Sequence, residues 1–160
     1  MPHEPRLTRE LRALLQAQRV AALGTLNEDG SPLVSMVPFA LRTGEPGFVI
    51  HVSGLAAHTA NLRQRPTASV LVMQAEIEGQ PVHALPRASF AGQAAALVPD
   101  GAAGQAARAA YLARFPEAEP MTALADFQFF AITISAARQI AGFGAARSLE
   151  ADDLAAVLHG

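Results

Sequence analysis

"FVIHVSGLAAHTANLRQRPTASVLV", residues 48–72, is the stretch on which the fold turns. Phe48 to Ser53 is apolar enough for a strand, and Gly54 ends it. Residues 56–65 have helical spacing and stop at Pro66, whose ring cannot continue a helix. Residues 67–76 then return to high β propensity. His58, Thr59 and Asn61 crowd polar groups into the start of that helix, and an ordinary surface helix has no need of them.

Upstream, "LTRELRALLQAQR" (7–19) reads as a helix with Thr8 as N-cap and Leu11, Leu14 and Leu15 on one face. "VAALGTL" (20–26) is a strand, "NEDGSP" (27–32) carries the Asp-Gly hairpin signal, and "LVSMVPFAL" (33–41) is the return strand. Pro38 cannot donate to a ladder, so this strand has an edge or a bulge there. Downstream, "RASFAGQAAALV" (87–98) is a strand bent at Gly92. "GAAGQAARAAYLARF" (101–115) is a helix with Ala103, Ala107, Tyr111 and Phe115 along one face. "FQFFAITI" and "RQIAGF" read as a final hairpin, and a terminal helix follows at about 150–158. Helices are inserted between some strands and not after every one, which argues against a doubly wound sheet. The expected class is α+β, mainly β: a six-stranded antiparallel barrel or sandwich with peripheral helices.

The 160 residues fit one domain, with a core at about 8–147. Hydrophobic residues make up 51% and charged residues only 16%, so part of the apolar surface is expected in a subunit interface or against a ligand. Net charge is −2, with no basic stripe, one Tyr and no Trp, so nucleic acid is a poor partner. There is no cysteine, hence no disulfide framework and no thiolate nucleophile. No signal-type h-region or long apolar window is present, so no membrane partner is expected and the default location is the cytoplasm.

A helix start presents unpaired N–H groups and the positive end of the dipole, a ready anion site. Ser53, His58 and Thr59 could add side-chain donors there; equally, Ser53 and Thr59 could merely satisfy local backbone groups. "SMVPF" (35–39) is the second feature. If the strands 33–41 and 48–53 are neighbours, Ser35 lies near that helix start. The backbone around Met36 and Val37, interrupted at Pro38, would then have groups free for a flat polar heterocycle. "GFGAAR" (142–147) fails as a dinucleotide fingerprint, because Arg147 stands where the third glycine belongs; it reads as a close backbone approach at a turn. The five histidines form no metal-ligand spacing, so no metal site is expected. No acid, base or nucleophile set stands out, and a catalyst built this way would take its chemistry from a cofactor.

Taken in order, these segments resemble the pyridoxamine 5′-phosphate oxidase-like FMN-binding split-barrel family, and within it the branch associated with haem utilisation. The likeness runs from about residue 8 to 150 and is most distinctive at "SMVPF", "SGLAAHTANL" and "GFGAA". It implies a split barrel that forms homodimers with FMN in the cleft between subunits. Ser35 falls where the family places a phosphate contact, and His58 where relatives carry a basic residue on the same phosphate. Ser53 and Thr59 flank it, and Met36, Val37 and Pro38 run beside the isoalloxazine ring. Pyridoxamine oxidases proper use more Arg and Lys on the phosphate and a C-terminal Arg-x-His that this sequence does not show. The implied function is an FMN-dependent oxidoreductase of unknown substrate, with a reduced nicotinamide as electron donor. Two alternatives remain open: a haem-binding or haem-degrading protein with His51, His83 or His159 as axial ligand, and a cofactor-free dimeric binding module. A deazaflavin in place of FMN is a variant of the first.

Overall fold

The structure is a computed structural model that describes residues 3–159. Helix α1 (Arg6–Ala17) leads into strands β1 (Val20–Leu26), β2 (Pro32–Pro38), β3 (Ala40–Leu41) and β4 (Gly47–Ser53). Helix α2 (Ala57–Gln64), β5 (Thr67–Met73) and β6 (Arg87–Ala96) follow, then α3 (Ala102–Arg114), β7 (Phe127–Ile140), β8 (Ala146–Glu150) and α4 (Ala151–His159). All pairings are antiparallel, in the order β2-β1-β5-β6-β7-β4-β3, with β8 added to β7. The α+β, mainly β class therefore holds, with eight strands in place of the six expected.

Two departures from the expected strand pattern have a physical origin. The segment 33–41 reads as one strand but divides at Pro38 and Phe39: the first part pairs with β1, and Ala40 and Leu41 pair with β4 at the far edge of the sheet. Proline ends the first ladder, and the chain crosses from one sheet edge to the other there, which curls the sheet into a barrel. The final hairpin keeps two arms but is displaced along the chain. "FQFFAITI" and "RQIAGF" are not two arms but one strand of 14 residues. Ser135, Ala136 and Ala137 contain no Gly, Pro, Asn or Asp to turn the chain, so β7 runs straight on. Its one surplus residue, Ser135, is absorbed as a bulge opposite Ala91 and Gly92. The real turn lies at Gly142 and Gly144, whose φ values of 132° and 68° only glycine adopts freely. That segment is thus a turn but not a tight approach, since nothing lies closer than 4.0 Å to a Cβ built on either glycine. The bend at Gly92 is real, and a Cβ there would run into the carbonyl of Thr133.

Thr8 is not the N-cap of α1. The helix starts from Pro5, whose fixed φ suits a helix entry, and the Thr8 hydroxyl instead accepts a hydrogen bond from Arg147 at 3.3 Å. At its other end α1 is held by Arg114 of α3, which donates to the carbonyls of Leu15 (3.0 Å) and Gln18 and lies over the Phe39 ring.

Alternation along β4 builds two apolar regions. Phe48, Ile50 and Val52 point into the barrel, where Phe48 meets Phe39 and Phe90 edge-on at 5.3 and 4.9 Å. Burying each such ring is worth about 2–3 kcal/mol. Val49 and His51 point the other way, beneath α3, among Tyr111, Phe115 and Phe129. No helix among the described residues is long and apolar enough to cross a membrane.

Candidate functional site

The sheet and the crossover between β4 and β5 bring together two of the polar residues singled out in the sequence. Ser35, in the middle of β2 opposite Leu23, and His58, in the first turn of α2, meet with Oγ and Nδ1 2.9 Å apart. Of the segment 33–41 only Ala40 and Leu41 pair with β4; the part that carries Ser35, β2, does not, and the meeting is made by α2 folding back over the β1–β2 hairpin. With the Ser35 hydroxyl donating to Nδ1, the imidazole keeps its proton on Nε2 and offers it outward. Burial holds the His58 pKa below its ordinary value of 6.5.

Ser53 and Thr59 shape the entry to α2. The Leu55 N–H donates to Ser53 Oγ at 3.1 Å, and the Thr59 hydroxyl donates to the Ser53 carbonyl at 2.6 Å. Thr59 is closed to solvent, so its contribution is to fix the turn from beneath. Ala56 provides no side-chain cap, which leaves the first N–H groups of α2 without a protein side chain to accept them.

Along β2 the side chains alternate. Val37 is buried in the barrel, whereas Met36 and Val34 stand outward at 65% and 68% exposure. Met36 therefore lies on the opposite face of β2 from Val37, and Pro38 sits where the chain leaves β1. These three residues are gathered with Ser35 only through the backbone of β2. One side of that backbone pairs with β1 and the other is an open edge. Outside the barrel, a groove of about 400 Å³ is lined by Val20, Ala22, Val34, Ser35, Met36, Leu71 and Met73.

The histidines considered as axial haem ligands fall in different settings. His51 is 7% exposed, with its ring 4.3 Å from that of Phe129 and 5.2 Å from that of Phe127, and its Nδ1 is buried without a partner. A flat ligand cannot reach it without displacing those rings. His83 and His159 are exposed.

Sequence reasoning passed over Asn61 as a functional residue. Its amide is 6% exposed and donates to Thr25 Oγ1 (3.1 Å) and Asn27 Oδ1 (2.9 Å). Its partners lie more than thirty positions away, so no local pattern reveals them.

The family model of pyridoxamine 5′-phosphate oxidase matches residues 7–141. The chain belongs to this family. Within it, the chain is 28% identical over 155 residues to the heme oxygenase HutZ of Vibrio cholerae, covering 96% of this chain and 87% of that one. The crystal structure of HutZ, described as a heme storage protein, superposes with a TM-score of 0.75 at 26% identity, over 82% of this chain and 92% of that one. A heme-binding protein from Mycobacterium smegmatis superposes with a TM-score of 0.84 at 30% identity, over 97% of this chain. This chain spans only 62% of that protein's length. The oxidase-family fold thus carries relatives named for haem, while its own name refers to a phosphate-bearing substrate.

Proposed function

We propose that the protein is a homodimeric flavoprotein that grips the phosphate of FMN at Ser35 and His58. One observation carries this reading: a hydroxyl and an imidazole, 23 residues apart in the chain, are brought within 2.9 Å at the start of a helix that has no side-chain cap. Those groups fit a phosphate. A protonated His58 and the uncapped N–H groups of α2 donate to it, the Ser35 hydroxyl turns towards it, and charge-assisted bonds of this kind are worth about 1.5–3 kcal/mol each. Thr59 and Ser53 hold the turn. Met36, Val37 and Pro38 offer a flat ring the backbone of an unpaired sheet edge. Bound FMN would supply the redox chemistry, with a reduced nicotinamide as donor and a substrate still to be found. No residue of the chain is assigned an acid or base role.

Members of the family commonly dimerise. Support for the same state here is the outer sheet face, where Val34, Met36, Leu71 and Met73 form an apolar surface without a charged residue in its groove. Val34→Glu is expected to convert a dimer to a monomer in analytical ultracentrifugation.

The likeness to HutZ and to the Mycobacterium smegmatis protein favours a second reading, haem binding on the same barrel. Its candidate ligands among the described residues are the exposed His83 and His159, not His51. The visible absorption spectrum separates the readings: the protein is purified, scanned, and scanned again after addition of FMN and then haem. Paired flavin bands that survive gel filtration support the first, a Soret band the second, and retention of neither leaves a dimeric binding module.

A further inference from the structure

We infer that Asn61 is the positioning residue of the phosphate site: it sets His58 against Ser35 and thereby decides the preference for a phosphorylated over an unphosphorylated flavin. The inference rests on the flavin reading for its ligand, but its geometry is independent of any ligand. Helix α2 has eight residues and no side-chain cap, too short to hold itself together in water. Three inward side chains dock it: Thr59, Asn61 and Leu62, all buried. Thr59 ties it to Ser53, at the end of β4. Asn61 ties it to Thr25 on β1 and Asn27 in the following turn.

That hairpin is the one that carries Ser35 on its second arm. Ser35 and His58 therefore sit on two separate elements, and the Asn61 amide is the buried polar link between them one helical turn beyond His58. Both amide hydrogens are spent on the hairpin. The Asn61 carbonyl accepts from Arg65 at 3.5 Å, and Arg65 Nε reaches the Leu26 carbonyl at 2.9 Å. Without the amide, α2 stays attached to β4 through Thr59 and to the end of β1 through Arg65, but the polar tie one turn from His58 is gone and His58 is free to shift against Ser35. A hydrogen bond as short as 2.9 Å does not survive displacement of one partner by an ångström.

Asn61→Ala and the milder Asn27→Ala test this with two readouts. The first is the ratio of riboflavin to FMN dissociation constants, from flavin fluorescence quenching. The second is the pair of ¹⁵N shifts of the His58 ring in flavin-free protein, which report the tautomer that Ser35 selects. Asn61→Ala is expected to cut the ratio about tenfold, roughly what one hydrogen bond contributes, and to mix the two tautomers. Adding Ser35→Ala should then cost little more. Equal weakening of both flavins, or an unchanged ratio with unchanged ring shifts, overturns the assignment. If Asn61→Ala does not fold, Asn27→Ala carries the same test at smaller amplitude. A wild-type protein that does not discriminate FMN from riboflavin sinks the phosphate reading alone, and the ring shifts still decide the role of Asn61.

Discussion

His51 and His58 belong to one short stretch of sequence and to two unlike environments. His51 lies on the outward face of β4, enclosed by Phe127, Phe129 and Tyr111, with Nδ1 facing no donor or acceptor. His58 is half-buried, and its Nδ1 meets the Ser35 hydroxyl. Burial lowers the pKa of both. The consequences differ because an unpaired lone pair costs less to bury than an unpaired N–H or a charge. Neutral His51 is a flat packing unit. His58 has a partner, an open side and a proton to offer. Burial marks the first as architecture, while the pairing marks the second as chemistry.

Replacing each histidine breaks the comparison in a different place. The largest effect on binding is expected from His58→Glu, which sets a carboxylate against the phosphate: FMN affinity should fall about 100-fold or more, with riboflavin nearly unaffected, in fluorescence titrations. His51→Ala should leave the FMN-to-riboflavin preference intact but cost about 2–3 kcal/mol in chemical denaturation, through the cavity opened under α3. Ser35→Ala, which removes one hydroxyl and keeps the imidazole, should weaken FMN about tenfold.

The smallest effects are those of pH. An anion prefers the protonated His58, so FMN affinity should decline as pH rises through its pKa, by at most about tenfold per unit, while riboflavin binding stays flat. For His51 the sign is opposite and the quantity is stability. Its folded pKa lies below the unfolded value, so the neutral form's contribution is complete above about 6.5 and is lost as pH falls from there to the folded pKa. Thermal melting should show that decline as pH falls below about 6.5, and His51→Phe should remove it.

Much of the architecture is legible in local patterns. Strands β1, β5 and β6 and the stop at Pro66 are written in propensity and backbone chemistry, whereas Pro38 marks an irregularity without showing that the chain leaves one sheet edge for the other. The final hairpin is not legible, because Ser135–Ala137 is silent on direction and the glycines that turn the chain come seven residues later. Thr8 misleads for a related reason: it is a good cap in isolation, yet Pro5 starts the helix three residues earlier. Of the site, the helix start and "SMVPF" are visible as separate oddities. Their meeting at Ser35–His58, and the Asn61 link behind it, depend on contacts 23 to 36 residues apart, which periodicity does not encode.

The two prolines of β2 have a consequence for how copies of the chain meet. An apolar strand with an open edge is a template for fibril-like stacking. Here Pro32 and Pro38 close both ends of that edge, and the opposite edge, β3, is only two residues long. Ladder growth at these two edges is thereby starved of donors. The molecule can expose Val34 and Met36 for a face-to-face encounter while the β2 and β3 edges resist aggregation.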